Sequence, residues 1–63
     1  MDIVIIGSGN VAAVLGRKFK LAGHNILQIY SRNASAASEL AYEWDTESTN
    51  YKTMIYPNAD LYL

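Results

Sequence analysis

Four consecutive apolar residues, Ile3-Val4-Ile5-Ile6, run directly into Gly7-Ser8-Gly9-Asn10-Val11-Ala12 near the start of a chain of 63 residues. An unbroken β-branched run suits a strand buried on both faces of a parallel sheet, because a half-exposed strand would alternate with polar residues. Gly7 can make a tight turn off that strand, and Gly9 leaves the main chain bare where a Cβ would otherwise stand. Val11, Ala12, Leu15, Phe19 and Ala22 recur at helical spacing, which predicts a helix over 11–22 with one apolar stripe facing the sheet. The unpaired N–H groups and positive dipole end of that helix complete an anion site at the junction.

The spacing is that of a dinucleotide-binding fingerprint. Gly7 supplies the turn, Gly9 the close approach to a pyrophosphate, and Ala12 the small third residue that lets helix and strand pack closely. A second strand-like run, Ile26-Leu27-Gln28-Ile29-Tyr30, stands where a βαβ crossover should return. The other reading of the junction is a plain glycine-rich turn in some different α/β protein. The residues just past the second strand bear on the cofactor. An NAD-type site places an Asp or Glu there to accept from the ribose 2′-OH, whereas this chain has Tyr30-Ser31-Arg32-Asn33. A carboxylate would repel a 2′-phosphate; a guanidinium can bind it through charge-assisted hydrogen bonds, with the Ser31 hydroxyl as a further donor. The expectation is NADP(H) over NAD(H). Such contacts would contribute about 1.5–3 kcal/mol, a preference of about tenfold to a hundredfold. Two alternatives stay open for Arg32, a solvated loop cation or a platform stacking on adenine regardless of the phosphate.

The opening Met1-Asp2-Ile3-Val4-Ile5-Ile6-Gly7-Ser8-Gly9-Asn10-Val11-Ala12, with Leu21-Ala22-Gly23-His24 and Tyr30-Ser31-Arg32, resembles the N-terminal domain of Rossmann-like oxidoreductases. The pattern is nearest to the pyrroline-5-carboxylate reductase and deazaflavin-dependent NADP oxidoreductase group, including a poorly characterised bacterial branch. The likeness covers the first half of the chain well and Asn58-Ala59-Asp60-Leu61-Tyr62-Leu63 more loosely. It implies NADPH binding by Gly7, Ser8, Gly9, Asn10, Val11, Ser31 and Arg32, and it supplies no substrate.

The expected fold class is α/β, the N-terminal βαβαβ part of a Rossmann doubly wound parallel sheet. Complete members of such families are several times longer, so residues 1–63 read as an incomplete dinucleotide-binding domain lacking a C-terminal substrate or dimerisation domain. A domain of this size would bury only about 60% of the surface its unfolded chain exposes. In the doubly wound order the first strand lies between the second and fourth, and Leu61-Tyr62-Leu63 reads as a fourth strand only begun. The expectation is therefore an open edge on the first strand, with poor folding or self-association through it, giving a homo-oligomer.

Strands are expected over 2–6 and 25–30, helices over 11–22 and 34–42, a short third strand over 44–46 and a helical turn over 50–55. Gly23 is a natural left-handed residue after the first helix, and Ser35 or Asn33 can cap the second. Gly16, inside the first helix, marks close packing, since it costs about 1 kcal/mol relative to Ala. Composition points to a cytoplasmic protein without membrane or nucleic-acid partners: net charge is −1, and no apolar stretch approaches the ~20 residues that span a bilayer. No basic, apolar leader opens the chain. The absence of cysteine excludes disulfides, thiolate zinc sites and cysteine nucleophiles. Charge is uneven, +3 over the first 33 residues and −4 over the rest. Arg17, Lys18 and Lys20 suit the dipole at the C-terminal half of their helix.

Other candidates for chemistry are weaker. His24 belongs to the sheet end opposite the phosphate turn and reads as structural. The tyrosines and Trp44 are irregularly spaced, and only Tyr30 lies near the expected adenosine end. Asp45, Glu47 and Asp60 show no metal-ligand pattern, and Ser8 lacks a neighbouring base that would make it a nucleophile. Three functions are compatible with the residues. The parent is an NADPH-dependent oxidoreductase reducing a small imine or carbonyl substrate, with its catalytic groups elsewhere and no activity in this segment alone. Alternatively it is a nucleotide-sensing or interaction module without turnover. A methyltransferase is the third, disfavoured because the acid that would accept from the ribose hydroxyls is missing.

Overall fold

In the computed structural model, which describes residues 1–63, the opening apolar run forms strand β1 (Asp2–Ile6) at the heart of a parallel sheet. Helix α1 (Asn10–Leu21) leads to β2 (Asn25–Tyr30), and helix α2 (Ala34–Trp44) to β3 (Glu47–Thr49). A single 3-10 turn (Lys52–Met54) lies in the connection to β4 (Leu61–Tyr62). All pairings are parallel and the order is β3-β2-β1-β4, the arrangement of the first half of a doubly wound sheet. The α/β class and the parallel topology expected from the sequence are those found.

Ile3, Val4 and Ile5 are fully buried, as an unbroken β-branched run requires. Ile3 and Ile5 face the helices, where they form one core with Ile26, Ile29, Ala37, Ala41 and Trp44. The register of β2 against β1 shifts at Leu27, and this bulge brings Ile26 and Ile29, three residues apart, onto the same face. Ile6 departs from expectation at 40% exposed. It shares the second face with Val4, and that face is covered by the irregular connection from β3 to β4 rather than by a long helix. Gln28, buried in the middle of β2, ties that connection down: its Nε2 donates to the Met54 carbonyl at 2.9 Å and its Oε1 accepts from Tyr56 N–H at 3.1 Å. The strap covers Val4 and leaves part of Ile6 open.

The apolar stripe of α1 is narrower than its sequence suggests. Ala12, Gly16 and Phe19 face the core, whereas Val11 is 73% exposed and Ala22 lies exposed beyond the helix end. Gly16 explains the rotation. A Cβ there would collide with Trp44 Cη2 and Cζ2, so the indole of α2 lies directly on the backbone of α1. Beside this contact Arg17 grips Glu43 with Nε at 2.7 Å and Nη2 at 3.0 Å, and Glu43 also accepts the Trp44 indole N–H at 3.1 Å. That pairing holds the Glu43 carboxyl below the usual carboxylate range, chiefly through the Arg17 hydrogen bond.

Both helices end in the same capping geometry. After α1, Gly23 takes φ +88° and donates to the Lys20 carbonyl, while His24 N–H reaches the Phe19 carbonyl and its ring meets Phe19 edge-on at 5.7 Å. After α2, Asp45 takes φ +53°, its N–H bonds the Tyr42 carbonyl, and Thr46 N–H bonds the Ala41 carbonyl. Because an aspartate occupies the left-handed position, no glycine marks this end. The helix therefore runs to Trp44 rather than Tyr42, and β3 begins at Glu47 rather than over 44–46. Of the two cap candidates for α2, Asn33 serves, accepting from Ala36 N–H at 3.1 Å.

The expected bare edge on β1 is not found. Asp60 N–H donates to the Asp2 carbonyl at 2.8 Å, Leu63 N–H donates to the Val4 carbonyl at 3.0 Å, and Ile6 N–H reaches the Leu63 carbonyl. The four residues Asp60 to Leu63, with β4 among them, thus pair β1 from Asp2 to Ile6. The outer sheet edge on this side belongs to β4 instead.

Candidate functional site

The carboxyl ends of β1 and β2 meet at the turn over residues 7–12. Gly7 leaves β1 with φ +111°, a conformation that strains any residue with a Cβ, and its N–H is spent on the Tyr30 carbonyl at 2.6 Å. Gly9 then stands at the N-cap of α1 in extended conformation, φ −75° and ψ −178°, with no side-chain cap. The N–H groups of residues 8–12 have no protein acceptor, and neither α1 nor α2 carries an acid in its first turn. Ideal Cβ atoms at Gly7 and Gly9 meet nothing within 4 Å, so the space in front of these donors is open. A row of unpaired N–H groups at a helix start, free of carboxylates, attracts an anion.

The loop after β2 lies beside this turn. Ser31 is 5% exposed, and its hydroxyl meets that of Ser8 at 2.7 Å. The same oxygen accepts Asn33 N–H at 3.1 Å, and Ser31 N–H donates to the Thr49 carbonyl at 3.1 Å. Arg32, between these anchored residues, is exposed and has no hydrogen-bonding or ionic partner in the chain. The structure thus brings Gly7, Ser8, Gly9, Asn10, Val11 and Ala12 together with Tyr30, Ser31 and Arg32 at one end of the sheet. Tyr30 is 8% exposed, so its ring packs inward and offers no open stacking face. His24 lies at the opposite end, its Nδ1 3.2 Å from the N-terminal amine. The contact between Ser8 and Ser31 was not legible from the sequence; its one signal is a serine at each of two adjoining strand ends.

No carboxylate, imidazole or thiol occurs within residues 7–12 or 30–33. Among the groups whose titration shifts, Arg17 and Glu43 join the helices, and the Tyr56 hydroxyl, raised by its hydrogen bond to the Glu47 carboxylate, lies in the strap. No three His, Cys, Asp or Glu side chains converge on a common point. No helix is long and apolar enough to cross a membrane.

The family model for NADP oxidoreductase, coenzyme F420-dependent, matches residues 2–63. The chain belongs to this family. A crystal structure from Bacteroides fragilis, provisionally named an NADP oxidoreductase, superposes with a TM-score of 0.94 at 39% sequence identity. The match covers 97% of this chain and 24% of that one, so the chain spans about a quarter of the length of its structural relative. No curated protein matches. Family and topology together make residues 1–63 a Rossmann-like module of NADP oxidoreductase type, as the sequence resemblance implied.

Proposed function

We propose that this chain is the NADP(H)-binding part of an oxidoreductase that transfers hydride between the nicotinamide and a small imine or carbonyl substrate. One observation carries the reading: an open turn with five unpaired N–H groups beside an arginine that nothing in the chain engages. In this reading Gly7, Gly9 and Ala12 keep the cradle low, and the N–H groups of Ser8, Gly9, Asn10, Val11 and Ala12 hold the pyrophosphate. The loop of Tyr30, Ser31 and Arg32 frames the adenosine end, with the Arg32 guanidinium on the 2′-phosphate. A bound nicotinamide would supply the hydride; the residues here bind it, orient it and select its phosphorylated form. The domain would be completed, and the substrate and catalytic groups supplied, by further sequence of the parent protein.

Titration of the full chain with NADPH and NADH, followed by reduced-nicotinamide fluorescence, tests the coenzyme. The wild type should prefer NADPH by about tenfold to a hundredfold, and Arg32→Glu should abolish that preference. Equal loss for both coenzymes on Arg32→Glu would refute a 2′-phosphate role. NADPH oxidation by the full-length parent in the presence of a deazaflavin, imines and carbonyl compounds separates an enzyme from a nucleotide sensor.

A further inference from the structure

We propose that the amino group of Met1 and the imidazole of His24 form a chelate for one divalent transition-metal ion, at the end of the sheet opposite the glycine turn. The inference stands on this strand end alone and does not rest on the coenzyme reading. It gives His24, read from the sequence as structural, the role of a ligand.

The N-terminal nitrogen lies 3.2 Å from His24 Nδ1, on residues 23 apart in sequence. An ammonium can only donate, so this contact turns the Nδ1 lone pair toward the amine and leaves the ring proton on Nε2. A metal at Nδ1 needs that same tautomer. With metal–nitrogen bonds of about 2.0–2.1 Å, two nitrogens 3.2 Å apart subtend about 100–105° at a shared ion, between the square and the tetrahedral angle. An ion can therefore take the place of the bridging proton with little movement of either ligand.

Both ligands are held by the main chain. The Met1 carbonyl accepts Asn25 N–H at 2.9 Å, His24 N–H donates to the Phe19 carbonyl at 3.0 Å, and the imidazole meets the Phe19 ring edge-on. The surroundings are acidic: Asp60 Oδ2 accepts Asp2 N–H at 2.8 Å, and Asp2 Oδ1 accepts from Asn25 Nδ2 at 3.2 Å. These carboxylates favour a cation at the strand end, and Met1 is 59% exposed, which leaves the ion's remaining positions to water. Amine and imidazole nitrogens select zinc or copper(II) over magnesium and calcium, which take oxygen ligands. Binding releases one proton from the ammonium to solvent and ties the start of β1 to the loop before β2.

Calorimetric titration of the full chain, opening at Met1, with zinc chloride tests this, with magnesium chloride as the control. The wild type should bind one Zn²⁺ per chain, release about one proton as read in two buffers of different ionisation enthalpy, and unfold at a higher temperature with the ion present. His24→Gln should weaken Zn²⁺ binding at least about tenfold. Acetylation of the Met1 amine, which leaves every side chain in place, should do the same, so the outcome does not depend on how well the substituted chain folds. The proposal is overturned if the wild type shows no saturable Zn²⁺ binding at neutral pH, if magnesium binds as tightly, or if acetylation leaves the affinity unchanged.

Discussion

Gly16 and Gly9 sit seven residues apart on the same side of the molecule's first helix and lack a side chain for opposite reasons. At Gly16 the missing Cβ is replaced by the chain itself, with the Trp44 indole filling the space. At Gly9 an added Cβ would meet nothing beyond its chain neighbours within 4 Å, and φ is negative, so neither packing nor backbone conformation requires glycine. Gly7 and Gly23 are explained by φ of +111° and +88°. Gly9 even forgoes the side-chain bond that Ser, Thr, Asp or Asn would give an N-cap. A glycine that the fold does not need is what the coenzyme reading proposed above requires, because a bare main chain beside five unpaired N–H groups would let an anion approach.

The sharpest way to break this contrast is to add the same side chain at both positions. Gly16→Val should cost about 2–3 kcal/mol, because overpacking against Trp44 outweighs any gain in helix propensity. Denaturant unfolding followed by Trp44 fluorescence reads it; a loss under about 0.5 kcal/mol would show the helices free to move apart. Gly9→Val should do the reverse, costing at most about 1 kcal/mol as a poorer cap while weakening coenzyme binding at least tenfold. Unchanged affinity would show that the turn is not a cradle.

A smaller effect sharpens the backbone side of the comparison. Asp45→Gly should stabilise the fold by up to about 1 kcal/mol, since it relieves the left-handed residue that ends α2. Thermal unfolding checks it, and destabilisation would mean that the Asp45 side chain contributes more than its conformation costs. The smallest effect concerns the clamp beside Gly16. Glu43 has a folded value below its unfolded one, so its contribution is present above the ordinary glutamate value and is lost as pH falls through the lowered one. Both partners are exposed, so Glu43→Gln should lower stability only slightly at neutral pH, and the difference from wild type should vanish in acid and shrink in salt.

The parts legible in the sequence are those where one local residue decides the outcome. The run Ile3-Val4-Ile5 dictated a buried strand, Gly7 and Gly23 dictated their turns, and the cap of α2 was narrowed to Ser35 or Asn33, of which Asn33 serves. What escaped was decided by something distant or by an atypical residue. Asp45 adopts the conformation expected of glycine, which moved the end of α2 and the start of β3. Gln28, a polar residue in the middle of a strand, is buried because the strap from β3 to β4 pairs with both ends of its amide. Val11 left the expected stripe because Trp44, far along the chain, takes Gly16 as its seat. At the candidate site the glycine turn after β1 and the missing acid after β2 were readable, whereas the Ser8 to Ser31 bond depends on two loops meeting in space.

Amide-resolved NMR titration of the nitrogen-15-labelled chain with NADPH tests the central claim most directly. The largest shift changes should fall on the N–H groups of residues 8–12 and on Arg32, with the Arg32 response absent when NADH is used. Perturbations confined to the opposite end of the sheet, around His24 and Asp60, or no perturbation at saturating coenzyme, would contradict the account.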